Sequence, residues 1–218
     1  MDISLEGKVA LITGGSRGIG LAIAKSYADS GAQVMLTSRK EDSLRDAAKF
    51  VGGGASYIAG NAGDTEFAQK CVSATLEQYG KIDIFVNNAA TNPYAGPTLG
   101  VSETQLDKTF QVNLRGPLFW CSQVWDQHMS DNPGVIINIA SVGGLRAEGN
   151  LGVYNLTKAA LIHLTRQLAG ELGLTRVVGI APGLVKTDFA QMLVDNYGDS
   201  LAKRLPRKRL GEPEDIAN

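Results

Sequence analysis

Short apolar runs alternate with helical patterns along the chain. Six runs of five or six mostly apolar residues are typical of strands that are buried on both faces. They span residues 8–13, 33–38, 55–59, 82–86, 135–140 and 176–181. Helical patterns separate them, among them one from 64 to about 78 and a long one from 102. The alternation, with no internal repeat or low-complexity linker, predicts an α/β fold: one doubly wound domain over residues 1–218, with a parallel sheet of about six strands, helices on both faces and right-handed crossovers.

Composition and charge narrow the function classes. A net charge of −1 gives no indication of a nucleic acid or an anionic membrane as partner. Cys71 and Cys121 are far apart, with no C-x-x-C motif and no clustered histidine, so we expect neither a disulfide framework nor a metal site. Residues 1–4 lack a basic segment followed by an apolar stretch, and no apolar run approaches ~18 residues. These features predict a soluble, cytoplasmic protein.

A glycine-rich loop at residues 14–20 follows the first predicted strand and precedes a helical pattern that continues to Ser30. Glycines at 14, 18 and 20 allow a sharp turn, a close approach of the backbone to a pyrophosphate and tight packing of helix on strand. The free N–H groups at the start of the following helix suit an anion. The spacing is T-G-x-x-x-G-x-G rather than G-x-G-x-x-G. An ordinary turn is the alternative, but the position after a clean strand favours a dinucleotide site.

The residues at the end of the second predicted strand indicate whether the dinucleotide is NAD or NADP. An NAD site usually carries an acid about 20 residues past the glycines, where it holds the ribose 2′-hydroxyl. Here the residues are T-S-R-K, ending in Arg39 and Lys40. With Arg17 in the glycine loop, Arg39 matches a 2′-phosphate, so we predict NADP. The alternative is that Arg39 and Lys40 form a solvated helix start and that Glu41 or Asp42 turns toward the ribose.

Candidate chemistry is concentrated between Ser141 and Lys158. Tyr154 and Lys158 are four residues apart on a predicted helix, which brings their Cβ atoms within about 6 Å. A cation beside a phenol, whose pKa is ordinarily ~10, favours the phenolate and lowers that pKa. Ser141 closes the fifth apolar run, so its hydroxyl lies at a strand end. A Tyr-x-x-x-Lys pair alone is more often surface packing, and only its context makes it a catalytic candidate.

Further positions extend this candidate site. Pro117 has no N–H to give the carbonyl of Asn113, so the helix from 102 should kink there and the free carbonyl could hold a water. An asparagine that only caps the break is the alternative. Thr13, Asn87, Ser141 and Pro182 all fall at the carboxyl ends of predicted strands. Open parallel sheets bind ligands at that edge, so we expect one crevice there.

These motifs together resemble the short-chain dehydrogenase/reductase family. They are Thr13-Gly14 to Gly20, Asn87-Asn88-Ala89, Asn113, Ser141, Tyr154 with Lys158, and Pro182-Gly183, in that order over nearly the whole chain. The resemblance implies a Rossmann fold and, within the family, an NADPH-dependent carbonyl reductase or 3-oxoacyl-(acyl carrier protein) reductase. It implies that Tyr154 is the general acid, that Lys158 lowers its pKa and binds the nicotinamide ribose, and that Ser141 orients the carbonyl. Asn113 would hold a water in a proton relay.

The resemblance also implies a cofactor-binding set. The set is Gly14, Ser16, Arg17, Gly18, Ile19, Gly20, Arg39, Asn61, Ala62, Asn88, Ala89, Ala90, Tyr154, Lys158, Pro182, Gly183, Val185 and Thr187. The backbone at Val185 and the side chain of Thr187 would hold the nicotinamide carboxamide. The chain departs from the family pattern at three places: Asn61-Ala62 stands where Asp-Val is usual, Ala90 where glycine is usual, and Gly179 where asparagine is usual.

The C-terminal region carries further expectations. The segment 211–215 resembles the first turn of a helix, which the family continues to a seventh strand, so we expect a sheet with an exposed edge. Residues 184–210 form a predicted substrate lid. Its basic residues are Lys203, Arg204, Arg207, Lys208 and Arg209, and they either steer an acidic acyl carrier protein or form a solvated face.

Several functional alternatives stay open at this point. The chain could oxidise an alcohol with NAD, or bind a dinucleotide as a sensor or scaffold without catalysis. The family likeness implies a homo-oligomer, a tetramer or dimer, formed through the Asn113 and Tyr154 helices. The substrate is a small-molecule or acyl-carrier-linked carbonyl compound. Apolar bulk for its pocket is available from Tyr94, Phe119, Trp120 and Trp125.

Overall fold

Six parallel strands form one sheet in the order β3-β2-β1-β4-β5-β6. The computed structural model describes residues 4–218, so the expectation about a leader, which concerned residues 1–4, falls largely outside the described residues. The strands are β1 (Val9–Thr13), β2 (Gln33–Ser38), β3 (Ser56–Ala59), β4 (Ile84–Asn87), β5 (Val135–Ile139) and β6 (Arg176–Ile180). The strand order reverses between β1 and β4, which is the topological switch point of a doubly wound sheet. The predicted fold class is confirmed.

Helices cover both faces of this sheet. They are α1 (Gly18–Asp29), α2 (Glu41–Val51), α3 (Thr65–Tyr79), α4 (Glu103–Phe110), α5 (Gly116–Val124), α6 (Gly152–Glu171), α7 (Gln191–Arg204) and α8 (Glu214–Ala217). Because strand side chains alternate between faces, Ala10 and Ile12 of β1 pack with α1 and α2, whereas Leu11 packs in a second core with Trp120 of α5. The uninterrupted burial of β1 explains why its sequence is apolar at every position before Thr13.

The predicted strand ends are accurate to within two residues. The bounds of β2 match the prediction, and β4 begins two residues later and ends one residue later than the apolar run. Ile82 is buried but lies before the ladder, whereas Asn87 pairs with Asn138 of β5. Hydrophobicity therefore identifies the buried segment, and the polar end of β4 is extended by pairing with its neighbour. β3 and β6 are the two edge strands of the sheet.

The helix predicted from 102 is interrupted rather than continuous. It consists of α4, a π-helical turn at Gln111–Arg115, α5 and a second π-helical turn at Trp125–Met129. Pro117 is the second residue of α5, where the missing N–H costs little, so the departure from α geometry falls just before it. The capping box formed by Ser102 and Gln105 begins α4, as the sequence predicts.

Trp120 is the largest fully buried side chain and belongs to the core rather than to a substrate pocket. Its ring stacks on Phe85 at 5.8 Å between centroids and meets Phe67 edge-on at 5.9 Å. The indole N–H donates to the carbonyl of Ala62 at 3.0 Å, which satisfies the one polar atom of the ring. None of the four aromatic residues proposed for the pocket lines the crevice described below.

Cys71 and Cys121 are both buried and free. Burial raises the pKa of each thiol to about 12, so neither is a nucleophile at neutral pH. Within residues 4–218, no group of three or more His, Cys, Asp and Glu side chains is arranged to hold a metal ion. No helix in that same range combines the length and the hydropathy needed to cross a bilayer.

Candidate active site

The carboxyl ends of β1 and β4 are joined by hydrogen bonds at the topological switch point. The hydroxyl of Thr13 accepts from the N–H groups of Asn88 at 3.0 Å and Ala89 at 3.1 Å, and it donates to the carbonyl of Val86 at 3.2 Å. The Asn88 amide donates to the carbonyls of Thr13 at 2.9 Å and Gly14 at 3.1 Å. These bonds hold the glycine loop against the turn after β4 and form the floor of a crevice.

The glycine loop has the geometry of an anion site. Gly14 and Gly18 have φ of +67° and +55°, which other residues rarely adopt. No side chain caps α1, and its first turn contains no acid, so its N–H groups are available to a phosphate. A Cβ on Gly20 would lie 2.4 Å from the Asn88 amide nitrogen and 2.5 Å from the Gly14 oxygen. Gly20 therefore permits the close packing of loop and helix, and the residues present fit a dinucleotide.

Basic residues line the crevice at the end of β2. Arg39 and Lys40 are exposed and belong to its lining. Asp42, which the alternative interpretation turns toward a ribose, instead pairs with Arg45 at 2.7 Å. Arg17 also lines the crevice, and its guanidinium pairs with Asp188 of the lid at 3.2 Å. The lining near the expected adenosine end is thus basic.

Three of the four predicted catalytic residues lie together at the end of β5. Ser141 lies two residues after the end of β5 and directly precedes a 3-10 turn, and its hydroxyl accepts from the N–H of Gly143 at 3.1 Å. Tyr154 is in the first turn of α6, and Lys158 lies one turn further along the same face. The Lys158 ammonium donates to the carbonyl of Ile139 at 2.7 Å and lies 5.6 Å from the centroid of the Tyr154 ring.

Burial is the largest influence on the pKa values of Tyr154 and Lys158. It raises the pKa of Tyr154 to about 12, although a hydrogen bond with Ser141 acts to lower that pKa and the charge of Glu148 adds to the rise. Burial also lowers the pKa of Lys158 to about 8. Desolvation of the phenol is the largest effect on the Tyr154 pKa, and the Lys158 ammonium donates to a backbone carbonyl. A lowering of the Tyr154 pKa by Lys158 stays a prediction. At neutral pH the phenol is protonated.

Asn113, the fourth predicted catalytic residue, is fully buried beneath the crevice and does not line it. Its side-chain oxygen accepts from the N–H of Thr91 at 2.8 Å, and its amide donates to the Thr91 carbonyl at 2.8 Å and to the Thr157 hydroxyl at 3.2 Å. The side chain thus joins the loop after β4 to α6 instead of capping the helix break. Thr91 itself lines the crevice, so Asn113 positions part of the wall.

One crevice of 1690 Å³ contains nearly every predicted site residue. The predicted site residues that line it are Gly14, Ser16, Arg17, Gly18, Ile19, Arg39, Asn61, Ala62, Asn88, Ala89, Ala90, Ser141, Tyr154, Lys158, Pro182, Gly183, Val185 and Thr187. Gly20 and Asn113 support it from behind. Asn61, where the family pattern has aspartate, turns its side-chain oxygen to the N–H of Gly63 at 3.1 Å.

The predicted lid contains a short 3-10 turn and α7, and its two ends are paired. The backbone N–H of Lys186 donates to the carbonyl of Gly211 at 2.9 Å, and the backbone N–H of Gly211 donates to the carbonyl of Leu184 at 3.1 Å. Arg209, one of the basic residues considered for carrier docking, forms a bidentate pair with Asp215, its second bond measuring 2.7 Å. That pair lowers the pKa of the Asp215 carboxyl. Arg209 is thus engaged within the chain, and the ammonium of Lys208 donates to the carbonyl of Lys203 at 2.8 Å.

Phe189 and Glu148 are among the crevice residues that escaped prediction as site residues. Phe189 of the lid packs 6.1 Å from the Tyr154 ring, and Glu148 lies in the loop before α6. Phe189 lies two residues after Thr187, which was predicted to bind the carboxamide, and this proximity in sequence could have indicated that Phe189 lies at the site. Glu148 had only its position six residues before Tyr154, and an acid in a glycine-rich loop is usually solvent-exposed.

Comparisons with known proteins agree with this geometry. A family model described as enoyl-(acyl carrier protein) reductase matches residues 14–218. Dehydrogenase/reductase SDR family member 4 of Sus scrofa is 38% identical over 98% of this chain and 79% of its own length. Dehydrogenase/reductase SDR family member 2, mitochondrial, of Homo sapiens is 39% identical over 98% of this chain and 78% of its own.

Solved structures show the same similarity. A 3-ketoacyl-(acyl-carrier-protein) reductase from Brucella melitensis, complexed with NADH, has a TM-score of 0.92 and 32% identity, covering 98% of this chain and 89% of that one. An L-sorbose reductase from Gluconobacter frateurii, complexed with NADPH and L-sorbose, also has a TM-score of 0.92, with 30% identity over 100% of this chain and 89% of that one.

Proposed function

The chain belongs to the short-chain dehydrogenase/reductase family of oxidoreductases, and on that premise we propose that it reduces a ketone or aldehyde to the alcohol with NADPH. The observation that carries this proposal is the convergence of Ser141, Tyr154 and Lys158 beside the glycine loop in one crevice. The 3-ketoacyl and L-sorbose reductases among its structural neighbours support carbonyl reduction as the reaction class.

The proposed mechanism uses the phenol of Tyr154 as general acid. When bound, the reduced nicotinamide supplies the hydride that adds to the carbonyl carbon. Tyr154 donates its proton to the carbonyl oxygen, and the Ser141 hydroxyl donates a hydrogen bond to the same oxygen. Both groups act on negative charge that develops only as the reaction proceeds, which lowers the barrier rather than merely binding the substrate. Lys158 would hold the nicotinamide ribose and, with a pKa of about 8, would resupply the proton to Tyr154 near neutral pH.

The protonation of Tyr154 supports reduction over the reverse reaction. With its pKa raised to about 12, the phenol carries at neutral pH the proton that a carbonyl reduction consumes. Oxidation of an alcohol would require a phenolate as general base, which this buried environment disfavours. The relay through a water on the Asn113 carbonyl remains part of the proposal, and the buried Asn113 side chain contributes by holding the Thr91 loop.

NADPH is proposed rather than NADH because of the charge at the end of β2. Arg39 and Lys40 line the crevice there, and Asp42 is engaged with Arg45. A guanidinium matches the oxygens of a 2′-phosphate, whereas an NAD site would need a carboxylate facing the ribose. Gly14, Gly18 and the start of α1 would bind the pyrophosphate, and Val185 and Thr187 the carboxamide.

Oligomer formation is part of the same proposal. Apolar side chains are exposed on α5 and α6, the helices that the family likeness assigns to subunit contacts. Leu118 is 43% exposed, Phe119 is 38% exposed and Leu156 is 56% exposed. Contacts between copies of the chain would cover these side chains, which is consistent with a homodimer or homotetramer.

The deciding experiment follows NADPH oxidation at 340 nm with carrier-linked, aromatic and small aliphatic ketones, and with one enoyl substrate because the matching family model names that activity. We expect turnover of at least one ketone. Tyr154→Phe should retain NADPH binding, measured by fluorescence titration, and lose turnover by about a hundredfold or more, because general acid catalysis contributes 10²–10⁴-fold. Unchanged turnover in this variant would refute the mechanism. NADPH binding without turnover of any ketone would favour a sensor.

A further inference from the structure

Glu148 is a carboxylate in the crevice wall that the proposed mechanism leaves without a role. Two acids line the crevice within residues 4–218, Glu148 and Asp188, and Asp188 is paired with Arg17 of the glycine loop. Glu148 lines the same crevice as Tyr154, and its backbone carbonyl accepts from the side chain of Asn155, the neighbour of Tyr154. Consistent with this position, its negative charge raises the pKa of the Tyr154 phenol. The carbonyl oxygen of a substrate must reach that phenol. A second charged group on the substrate would therefore come within range of the Glu148 carboxylate.

The loop that carries Glu148 is fixed by contacts on both sides. The side-chain amide of Asn155, next to Tyr154 in α6, donates to the backbone carbonyl of Glu148 at 3.3 Å. On the other side, Gly96 donates to the carbonyl of Asn150 at 2.9 Å, and Asn150 adopts the left-handed region with φ of 62°. A Cβ on Gly143 would lie 2.1 Å from the Asn155 side-chain oxygen and 3.1 Å from the Glu148 carboxylate. Loop and helix are thus packed closely, which holds the carboxylate at the site.

The charge of Glu148 is only weakly compensated. Its nearest basic partner is Arg146, whose guanidinium lies 3.6 Å from the carboxylate and is 69% exposed, against 31% for the glutamate side chain. A solvent-exposed ion pair of this kind contributes little stabilisation, because water screens the attraction between its two charges. The Lys158 ammonium is directed to the carbonyl of Ile139. A substrate beside Tyr154 therefore meets the Glu148 carboxylate as the acceptor of hydrogen bonds and the source of negative potential.

Building on the proposed function, we propose that Glu148 determines substrate specificity: it disfavours carbonyl compounds that carry a carboxylate beside the carbonyl and favours those that carry a hydroxyl there. An ionised carboxylate only accepts hydrogen bonds, so it binds a hydroxyl donor and repels an anion. At an assumed separation of about 6 Å and an effective dielectric of about 20, like-charge repulsion corresponds to a discrimination of about a hundredfold, which water and the neighbouring Arg146 cation reduce toward tenfold. The substrate class that fits is a neutral hydroxy ketone or hydroxy aldehyde.

Three ketones of matched size test this proposal with NADPH as cofactor. Acetone carries neither group, hydroxyacetone carries the donor and pyruvate carries the anion. In Glu148→Gln, kcat/KM for pyruvate relative to acetone should rise about fivefold to tenfold, and the value for hydroxyacetone relative to acetone should fall. Glu77→Gln removes the same charge from an exposed position on α3 outside the crevice and should leave both ratios unchanged. Equal ratios in the wild type and Glu148→Gln would overturn the proposal.

A binding measurement separates this proposal from the proposed function. Saturation-transfer NMR on the protein loaded with NADP⁺, which has no hydride to donate, gives the relative affinity of the same three compounds without their reduction. Should no ketone be reduced, the proposed reaction fails, yet tighter binding of pyruvate to Glu148→Gln than to the wild type would still support the role of Glu148. Equal binding of pyruvate to both proteins would overturn it.

Discussion

Replacing the buried Lys158 with methionine should stabilise the chain in the absence of nucleotide. Burial lowers the pKa of Lys158 from 10.5 to about 8, and the side chain is 2% exposed. At neutral pH, where the amine is protonated in both states, this difference corresponds to about 3 kcal/mol of unfavourable free energy in the folded state. Methionine removes that cost but leaves the Ile139 carbonyl without its donor, which costs about 1–2 kcal/mol. We therefore expect a net gain of about 1–2 kcal/mol at pH 7.

The pH dependence gives the sharper test of this reasoning. The folded wild type binds fewer protons at Lys158 than the unfolded chain does between pH 8 and 10.5, so its stability relative to Lys158→Met should rise by about 2 kcal/mol from pH 8 to 10. Deprotonation of Tyr154 acts in the opposite direction, but only above pH 10 because its pKa is raised from 10.0 to about 12.

Urea unfolding followed by circular dichroism at pH 7, 8 and 10 measures both effects. Lys70→Met, at an exposed position on α3, is the matched control and should show neither. The reasoning is refuted if the difference between wild type and Lys158→Met stays constant with pH, or if the variant is the less stable protein at pH 7. A stabilised variant that no longer reduces ketones would show that the amine is retained for function at the expense of stability.

Two further predictions concern the glycine loop and the cofactor. Gly20→Ala should destabilise the chain by about 1–3 kcal/mol in urea unfolding, because its Cβ would lie 2.4 Å from the Asn88 amide, whereas Gly170→Ala, with no atom within 4 Å, should stabilise α6 by about 0.5–1 kcal/mol. Equal stability of the two variants would contradict the close packing at Gly20. Arg39→Ala should raise KM for NADPH about tenfold and leave KM for NADH unchanged in steady-state kinetics, since a charged hydrogen bond is lost. Lys49→Ala, at an exposed position on α2 outside the crevice, should change neither, and an equal effect of Arg39→Ala on both cofactors would argue against a phosphate clamp.

The sheet could be predicted because its strands are buried on both faces. Burial on both faces removes polar positions, so β1 and β2 appear in the sequence as nearly continuous apolar runs. The same topology places strand ends together, which is why Ser141 and Thr13 could be assigned to one crevice before any coordinates were known. The π-helical turn around Asn113 could not be predicted in detail, because hydrophobic periodicity does not report the hydrogen-bond register of a helix.

The properties of the site that sequence left undetermined depend on contacts distant in the chain. Tyr154 and Lys158 are adjacent on α6, which predicts their proximity but not the burial that sets their pKa values in opposite directions. Glu148 faces the site because Asn150, in the left-handed region, is bound by Gly96. A glutamate in a loop carries no periodic signal, so its place in the wall required the structure.

The bonds between Thr13 and Asn88 join residues that are 75 positions apart in the chain. During synthesis, β1 and β2 can pair early, and Gly15 of the glycine loop can then donate to Thr37 of β2, but the bonds to Asn88 form only after β4 has left the ribosome. A nascent chain that ends before residue 88 therefore has the T-G-x-x-x-G-x-G motif without the floor of its pocket. Because this long loop closes late, the site can bind a nucleotide only after the first strands have paired. A bound nucleotide would therefore stabilise only the later stage of folding.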